Sequence, residues 1–164
     1  MKYYIGIDNG VTGAVAIFSE EGEQFFFATP VKKEQSYTKA KNMITRVNTP
    51  ELIKNLSDIM GDNKGVAMIE RPMVNPGRFK ATMSALRCLE ATLVIMEYKG
   101  IAVDYIDSKE WQKALLPSGL EKEELKKASA DIGKRLFPQF AQKIDKQGDA
   151  DGLLIAEYCR RKYK

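Results

Sequence analysis

Within its first 29 residues the chain places three short runs of strand composition, with little but turn residues between them. They are YYIGID (3–8), GAVAIFSE (13–20) and EQFFFAT (23–29), the last two joined through a Glu-Glu-Gly turn at 20–22. Runs this short, rich in β-branched and aromatic residues, are strands, and connections of a few residues join antiparallel neighbours. The chain therefore opens as a three-stranded meander, which commits everything downstream to building on a sheet.

Beyond the meander, helices and strands alternate. KKEQSYTKAKNMITRVNT (32–49) is rich in Lys, Ser and Thr, shows little periodicity, and reads as an exposed connection. Thr49 begins a helix with Pro50 at the first helical position and Glu51 behind it. Leu52, Ile53, Leu56, Ile59 and Met60 form its buried face, and the Gly61–Gly65 segment ends it. VAMIE (66–70) is a buried strand, and RPMVNPGRFK is a loop punctuated by Pro72, Pro76 and Gly77. A long helix runs from about Phe79 to Lys99 until Gly100 stops it, and IAVDYI is a fifth strand. Ser108 caps a short helix holding Trp111 and Leu115, residues 121 to 136 form an amphipathic helix, and a last helix starts near Asp149. The order β-β-β-α-β-α-β-α-α-α predicts an α/β fold. Its five-stranded mixed sheet has three antiparallel strands, then parallel ones, and is covered by helices on both faces. The 164 residues form one domain, and a hydrophobic fraction of 44% supplies its core.

Composition removes several chemistries. There is no histidine, so Ser–His and Cys–His nucleophile systems and an imidazole base are absent. Cys88 and Cys159 stand far apart in apolar contexts and read as reduced core residues, not zinc ligands. No apolar run approaches the roughly 20 residues of a membrane span, and the N-terminus lacks a signal-peptide pattern. The expectation is a cytoplasmic protein without membrane contact. A net charge of +4 is compatible with a polyanionic partner.

Chemistry is left to carboxylates, lysines, hydroxyls or metal ions, and the carboxylates stand out. Alternation puts Tyr4, Gly6 and Asp8 on one face of the first strand, and Val66, Met68 and Glu70 on one face of the fourth. Both acids end strands that are otherwise apolar. Asp149 and Asp151 stand where the last, strongly apolar helix begins, in KQGDADGLLIAEYCRRKYK. Carboxylates at buried positions are unfavourable unless paired, hydrogen-bonded or bound to a cation. Hard oxygen donors without His or Cys fit Mg²⁺ or Mn²⁺. Each acid also has an ordinary reading. Asp8 before Asn9-Gly10 is a turn residue, Glu70 before Arg71-Pro72 a surface charge, Asp149 an N-cap, and Asp151 a first-turn acid facing the helix dipole.

Three segments in order, IGIDNGVTGAVAI, AMIERP and GDADGLLIAEY, resemble the RuvC-like Holliday junction resolvases of the ribonuclease H-like superfamily. The IERP step and compact length look most like the phage-encoded members. SKEWQKALLP followed by EELKKASADIGKRLFP is similar to that family's segment between the fifth strand and the final helix. The resemblance implies a four-carboxylate nuclease with two Mg²⁺ ions per active site, Mn²⁺ able to substitute. Asp8 matches the acid of the first strand, Glu70 that of the fourth, and Asp151 that of the last helix. The family commonly has its last two acids three residues apart, whereas here Asp149 and Asp151 are two apart. Two such positions on a continuous helix point about 200° apart. Either Asp149 precedes the helix proper, the favoured reading, or Asp145 takes its place.

The same resemblance implies hydrolysis of branched DNA, four-way junctions and forks, by a homodimer. Cations expected at the DNA are Arg71, Arg78 and Lys80 in the loop after Glu70, Lys109 and Lys113 on the short helix, and Lys122, Lys126 and Lys127 on the amphipathic one. Lys32, Lys33, Lys39 and Lys41 mark the exposed connection. Phe79 either stacks on unpaired bases or is the first core residue of the long helix. A stripe of smaller residues on that helix (Ala81, Ala85, Cys88, Thr92, Ile95) either meets a partner helix or packs on its own sheet. Competing functions are a non-catalytic branched-DNA-binding protein, a ribonuclease acting on structured RNA or RNA–DNA hybrid, and, more remotely, one lobe of an actin-like ATPase. The last rests on the likeness of GIDNGVTGAVAI to a phosphate loop.

Overall fold

The computed structural model describes residues 1–164. Its main sheet has five strands in the order β3-β2-β1-β6-β7. β1 (Lys2–Asp8), β2 (Ala14–Ser19) and β3 (Gln24–Ala28) are the antiparallel meander. β6 (Lys64–Glu70) and β7 (Ala102–Ile106) then add parallel to β1. The expected mixed α/β sheet is therefore present. Its register matters for function: Ile7 pairs with Ile69, so Asp8 and Glu70, the next residues, end adjacent strands side by side.

The sheet separates two cores. On one face Tyr3, Ile5, Ile7, Val15 and Ile17 pack with α1 (Thr49–Met60) and α2 (Phe79–Tyr98) through Leu52, Leu56, Cys88 and Ile95. On the other, Tyr4, Ala14, Ala16, Phe18 and Met68 meet α6 (Asp151–Tyr163) and the helices around it. These are α3 (Ser108–Leu115), α4 (Lys122–Leu136) and α5 (Ala141–Gln147). The centre of α6 is buried on every side, which is why its sequence is apolar without a polar stripe. It approaches β1 so closely that backbone meets backbone. A Cβ on Gly6 would lie 2.1 Å from the Ala156 nitrogen and 2.4 Å from the Gly152 oxygen.

Several expectations are corrected. The segment read as an exposed connection forms a separate antiparallel hairpin, β4 (Val31–Gln35) and β5 (Met43–Val47). Both its sides mix polar and apolar residues, and only Val47 is buried, so the usual apolar alternation is missing. α1 does begin at Thr49, but Pro50 is its second residue rather than its first, and Asn48 caps it, its side chain accepting from the Glu51 N–H at 3.4 Å. Asp107 precedes α3, and Ser108 is already helical. The last helix starts at Asp151, with the short α5 and a left-handed Gly148 before it. The smaller-residue stripe of α2 turns largely inward: Cys88, Thr92 and Ile95 are buried on their own sheet. The large apolar residues left outside on this helix are Phe79, Met83, Leu86, Val94 and Tyr98. Both cysteines are free and buried. No helix is long and apolar enough to cross a membrane.

Candidate metal centre

Four chain positions deliver acids to one end of the sheet. Asp8 ends β1 and Glu70 ends β6. Asp149 lies two residues before the first turn of α6, and Asp151 is that helix's first residue. Ala150 between them has φ −121° and ψ 22°, outside helical geometry, so the helical repeat does not separate the two acids. Asp149 and Asp151 can thus face Asp8 together, and one carboxylate oxygen from each of the three lies within 4.8 Å of the others. Asp145 is elsewhere, exposed on α5 and ion-paired with Lys134. Glu70 stands beside the trio, but its Oε2 accepts a hydrogen bond from Trp111 Nε1 at 2.7 Å.

Burial in a partly dry site, reinforced by neighbouring charge, raises the pKa values of Asp8, Asp151 and Glu70. Burial pushes the Asp8 carboxyl well above the usual range, and the charges of Asp151, Glu70 and Asp149 add to it. Burial, then the neighbouring Asp149, pushes Asp151 up to about 7, against the hydrogen bond from Ser129. Burial raises Glu70 as well, opposed first by the bond from Trp111. Three closely grouped oxygen donors whose negative charges disfavour one another, with no nitrogen or sulfur donor, are the chemistry of a hard divalent cation site. Asp8, Asp149 and Asp151 fit such an ion as they stand. Glu70 would join by turning its carboxylate from the indole.

Sequence reasoning missed two supporting residues. Trp111 on α3 is fully buried and holds Glu70. Ser129 on α4, also buried, donates to Asp151 Oδ1 at 2.5 Å while accepting from the Ala150 N–H at 3.0 Å. The only available signal for Trp111 was a single tryptophan in an otherwise polar helix, SKEWQKAL. For Ser129 there was none, because a serine in an amphipathic helix is ordinary.

The expected DNA-facing cations are surface residues. Arg78, Lys80, Lys109, Lys113, Lys122, Lys126 and Lys127 are exposed. Lys126 is near enough that its charge opposes the rise at Asp8 and Asp151. Arg71 is committed in part, paired with Asp107 at 3.3 Å and lying over the Tyr105 ring. Phe79 is 69% exposed, so it is no core residue of α2.

No protein-family model and no curated protein matches the chain. Solved structures do. RuvC of T. thermophilus in complex with a Holliday junction substrate aligns over 99% of this chain and 97% of that one, with a TM-score of 0.59 and 12% identity. A Thermus thermophilus RuvC structure aligns over 94% and 90%, with a TM-score of 0.55 and 15% identity. The yeast mitochondrial Holliday junction resolvase aligns over 96% and 77%, with a TM-score of 0.51 and 13% identity. With the strand order above, these likenesses establish that the chain has the RuvC-like form of the ribonuclease H fold.

Proposed function

We propose that this chain is a divalent-cation-dependent endonuclease that cleaves branched DNA, four-way junctions and forks, by phosphodiester hydrolysis. One observation carries the reading: the carboxylates of Asp8, Asp149 and Asp151 converge, with Glu70 beside them, at the sheet end of a fold shared with Holliday junction resolvases. Two Mg²⁺ ions, or Mn²⁺ in their place, would supply Lewis acidity to the scissile phosphate and its attacking water. The chain's part is to hold them. Asp8, which feels the charges of Asp151, Glu70 and Asp149 together, would share in holding both. Ser129 fixes Asp151 from outside, so that donor is ordered before substrate arrives, while Trp111 keeps Glu70 beside the trio until it turns to join. Arg71, Arg78 and Lys80 on one side, and Lys109, Lys113, Lys122, Lys126 and Lys127 on the other, would grip phosphates without reading bases. Phe79, exposed at the start of α2, is placed to stack on an unpaired base.

A junction presents two equivalent strands, and a homodimer would present two sites. The other large exposed apolar residues of α2 (Met83, Leu86, Val94, Tyr98) form the surface available for it.

Purified protein is tested with Mg²⁺ or Mn²⁺ on a four-way junction, a fork, linear duplex and RNA–DNA hybrid, with Asp8→Asn alongside. Paired nicks in junction or fork, absent in the variant, are expected. Cleavage of hybrid alone would make the protein a ribonuclease. Tight junction binding without cleavage would make it a binding protein. No binding would favour the phosphate-loop likeness of residues 6–17. A monomer by light scattering at micromolar concentration would defeat the dimer.

A further inference from the structure

The β4–β5 hairpin holds the molecule's charge imbalance. Residues 31–47 carry Lys32, Lys33, Lys39, Lys41 and Arg46 against Glu34 alone, an excess of four. The chain has 26 cations and 22 acids, so the rest of it holds 21 of each sign and is neutral in sum. Glu34 takes up Lys32 and Arg46, each at 2.6 Å, bracing the stem across its two strands. Lys33, Lys39 and Lys41 are exposed and belong to no ion pair.

Lysines on a small ribbon often only keep its free edges from pairing with another chain. That explains Lys33, which is on a strand. It does not explain Lys39 and Lys41, which lie in the connecting loop where there is no edge to protect. Nor does it explain why the loop is tied down. The Ser36 N–H donates to the Asn42 carbonyl at 2.8 Å. Ser36 and Thr38 hydroxyls meet at 2.9 Å. Arg87 of α2 donates to the Tyr37 hydroxyl at 2.9 Å and lies over its ring. The lysines at the tip are thus presented from an ordered platform.

The platform is rooted at the site's end of the sheet. Asp8 pairs with Ala14 and Ala14 with Ala28, and the hairpin leaves three residues later, closed by the Asn48 N–H on the Pro30 carbonyl at 2.8 Å. Val47 packs with α1 and α2, whereas α6, α3 and α4 cover the opposite face. Arg87, where the tip is fastened, stands eight residues beyond Phe79, about 12 Å along the helix, or about four base-pair steps of 3.4 Å.

We infer that the β4–β5 hairpin is a clamp for the phosphate backbone of a duplex DNA arm, with Lys33, Lys39 and Lys41 as its contacts, on the face of the sheet opposite the α3 and α4 lysines. The inference rests on the branched-DNA function proposed above. Binding across both faces would seat the scissile strand over the strand ends, and the hairpin would add affinity without sequence preference.

The test uses the Asp8→Asn protein, which keeps the junction intact. Binding to a four-way junction is measured by fluorescence anisotropy between about 50 and 200 mM salt, the range in which phosphate contacts are read out. Lys33→Gln/Lys39→Gln/Lys41→Gln is compared with a charge-matched control, Lys54→Gln/Lys64→Gln/Lys164→Gln, on α1 and at the far end of the sheet. The hairpin variant should flatten the slope of log K against log salt by roughly 2–3, at about 0.9 per lost contact, and weaken binding at least tenfold at low salt. The control should change little. An unchanged slope in the hairpin variant, or an equal loss in the control, overturns the clamp while leaving the nuclease reading intact. Failure of the parent protein to bind any branched DNA removes both.

Discussion

The indole N–H of Trp111 donates to Oε2 of Glu70 at 2.7 Å, across 41 residues of sequence, and Trp111 is the chain's only tryptophan. The bond ties one site acid to the interior and makes the site visible to fluorescence. Emission should shift as Mg²⁺ is titrated, because Glu70 must turn from the ring to join the ion, and the response should vanish in Glu70→Gln. Trp111→Phe keeps an aromatic ring and loses the donor. By calorimetry its cation affinity should rise, by up to about tenfold, because Glu70 no longer gives up a hydrogen bond worth about 1 kcal/mol to reach the ion. An emission spectrum indifferent to Mg²⁺ under conditions that support cleavage would refute the coupling.

The metal-free protein should lose stability as pH rises from about 4 to 7. Asp151 keeps its proton up to about 7 when folded, against 3.8 for an ordinary aspartate. Over that window the folded chain binds more protons than the unfolded chain, so the slope of stability against pH is negative. Asp8 and Glu70, also raised, act in the same direction. Mg²⁺ favours the ionised acids and should reverse the trend, adding about 2.7 kcal/mol at a concentration of 100 times its dissociation constant. Melting curves in EDTA and in Mg²⁺ across this range decide it. A metal-free melting temperature that climbs steadily from pH 4 to 7 would contradict the acid cluster.

For the same reason Asp8→Asn should be a loss in function and a gain in stability. Removing one charge from the group relieves repulsion on the order of 1 kcal/mol, the size for a pair about 4 Å apart in water. For a chain of this size that raises the metal-free melting temperature by roughly 2–4 °C. A variant destabilised in EDTA would mean that Asp8 serves the fold.

How far the site could be read from the sequence depends on how local each signal is. Asp8 and Glu70 were legible because each closes an apolar strand, and period two fixes which face it shares. Asp149 was ambiguous because its direction depends on the backbone of Ala150, which composition does not reveal. Trp111 and Ser129 act through contacts 41 and 22 residues away in sequence, and no local pattern encodes such a partner. The β4–β5 hairpin escaped notice because strands are recognised by an apolar face, and this one buries only Val47. α5 is seven residues long, too short for helical periodicity to register.

Ser129 shows how closely the support of the site is tied to the fold. Its buried hydroxyl donates to Asp151 and accepts from the Ala150 N–H, so Ser129→Ala strands two polar groups at once. The cost should be about 1–3 kcal/mol in denaturant unfolding. Asp151, losing a bond that favours its ionised form, should titrate higher still. Ser129→Thr, which keeps the hydroxyl, should recover the cation affinity more fully than the stability, since its added methyl enters a packed interior. Equal behaviour of Ala and Thr variants in cation binding would remove Ser129 from the site.

The site finally depends on how near α6 can come to β1, because α6 carries Asp151 and β1 carries Asp8. Gly6 permits that approach: any Cβ there would sit 2.1 Å from the Ala156 nitrogen, and the nearest obstacles are backbone atoms that cannot rotate away. Gly152 is a gentler case, its Cβ meeting the Ala14 oxygen at 3.0 Å. Gly6→Ala should therefore cost about 3 kcal/mol or more, the upper end of overpacking penalties, and Gly152→Ala distinctly less. In Gly6→Ala protein that remains folded, the helix must move out by the width of the methyl, parting Asp151 from Asp8. Cation affinity should then fall more steeply than stability across the pair of variants. Urea unfolding with parallel Mg²⁺ calorimetry makes the comparison, and a Gly6→Ala protein as stable and as tightly cation-binding as the parent would overturn this account of how the acids are brought together.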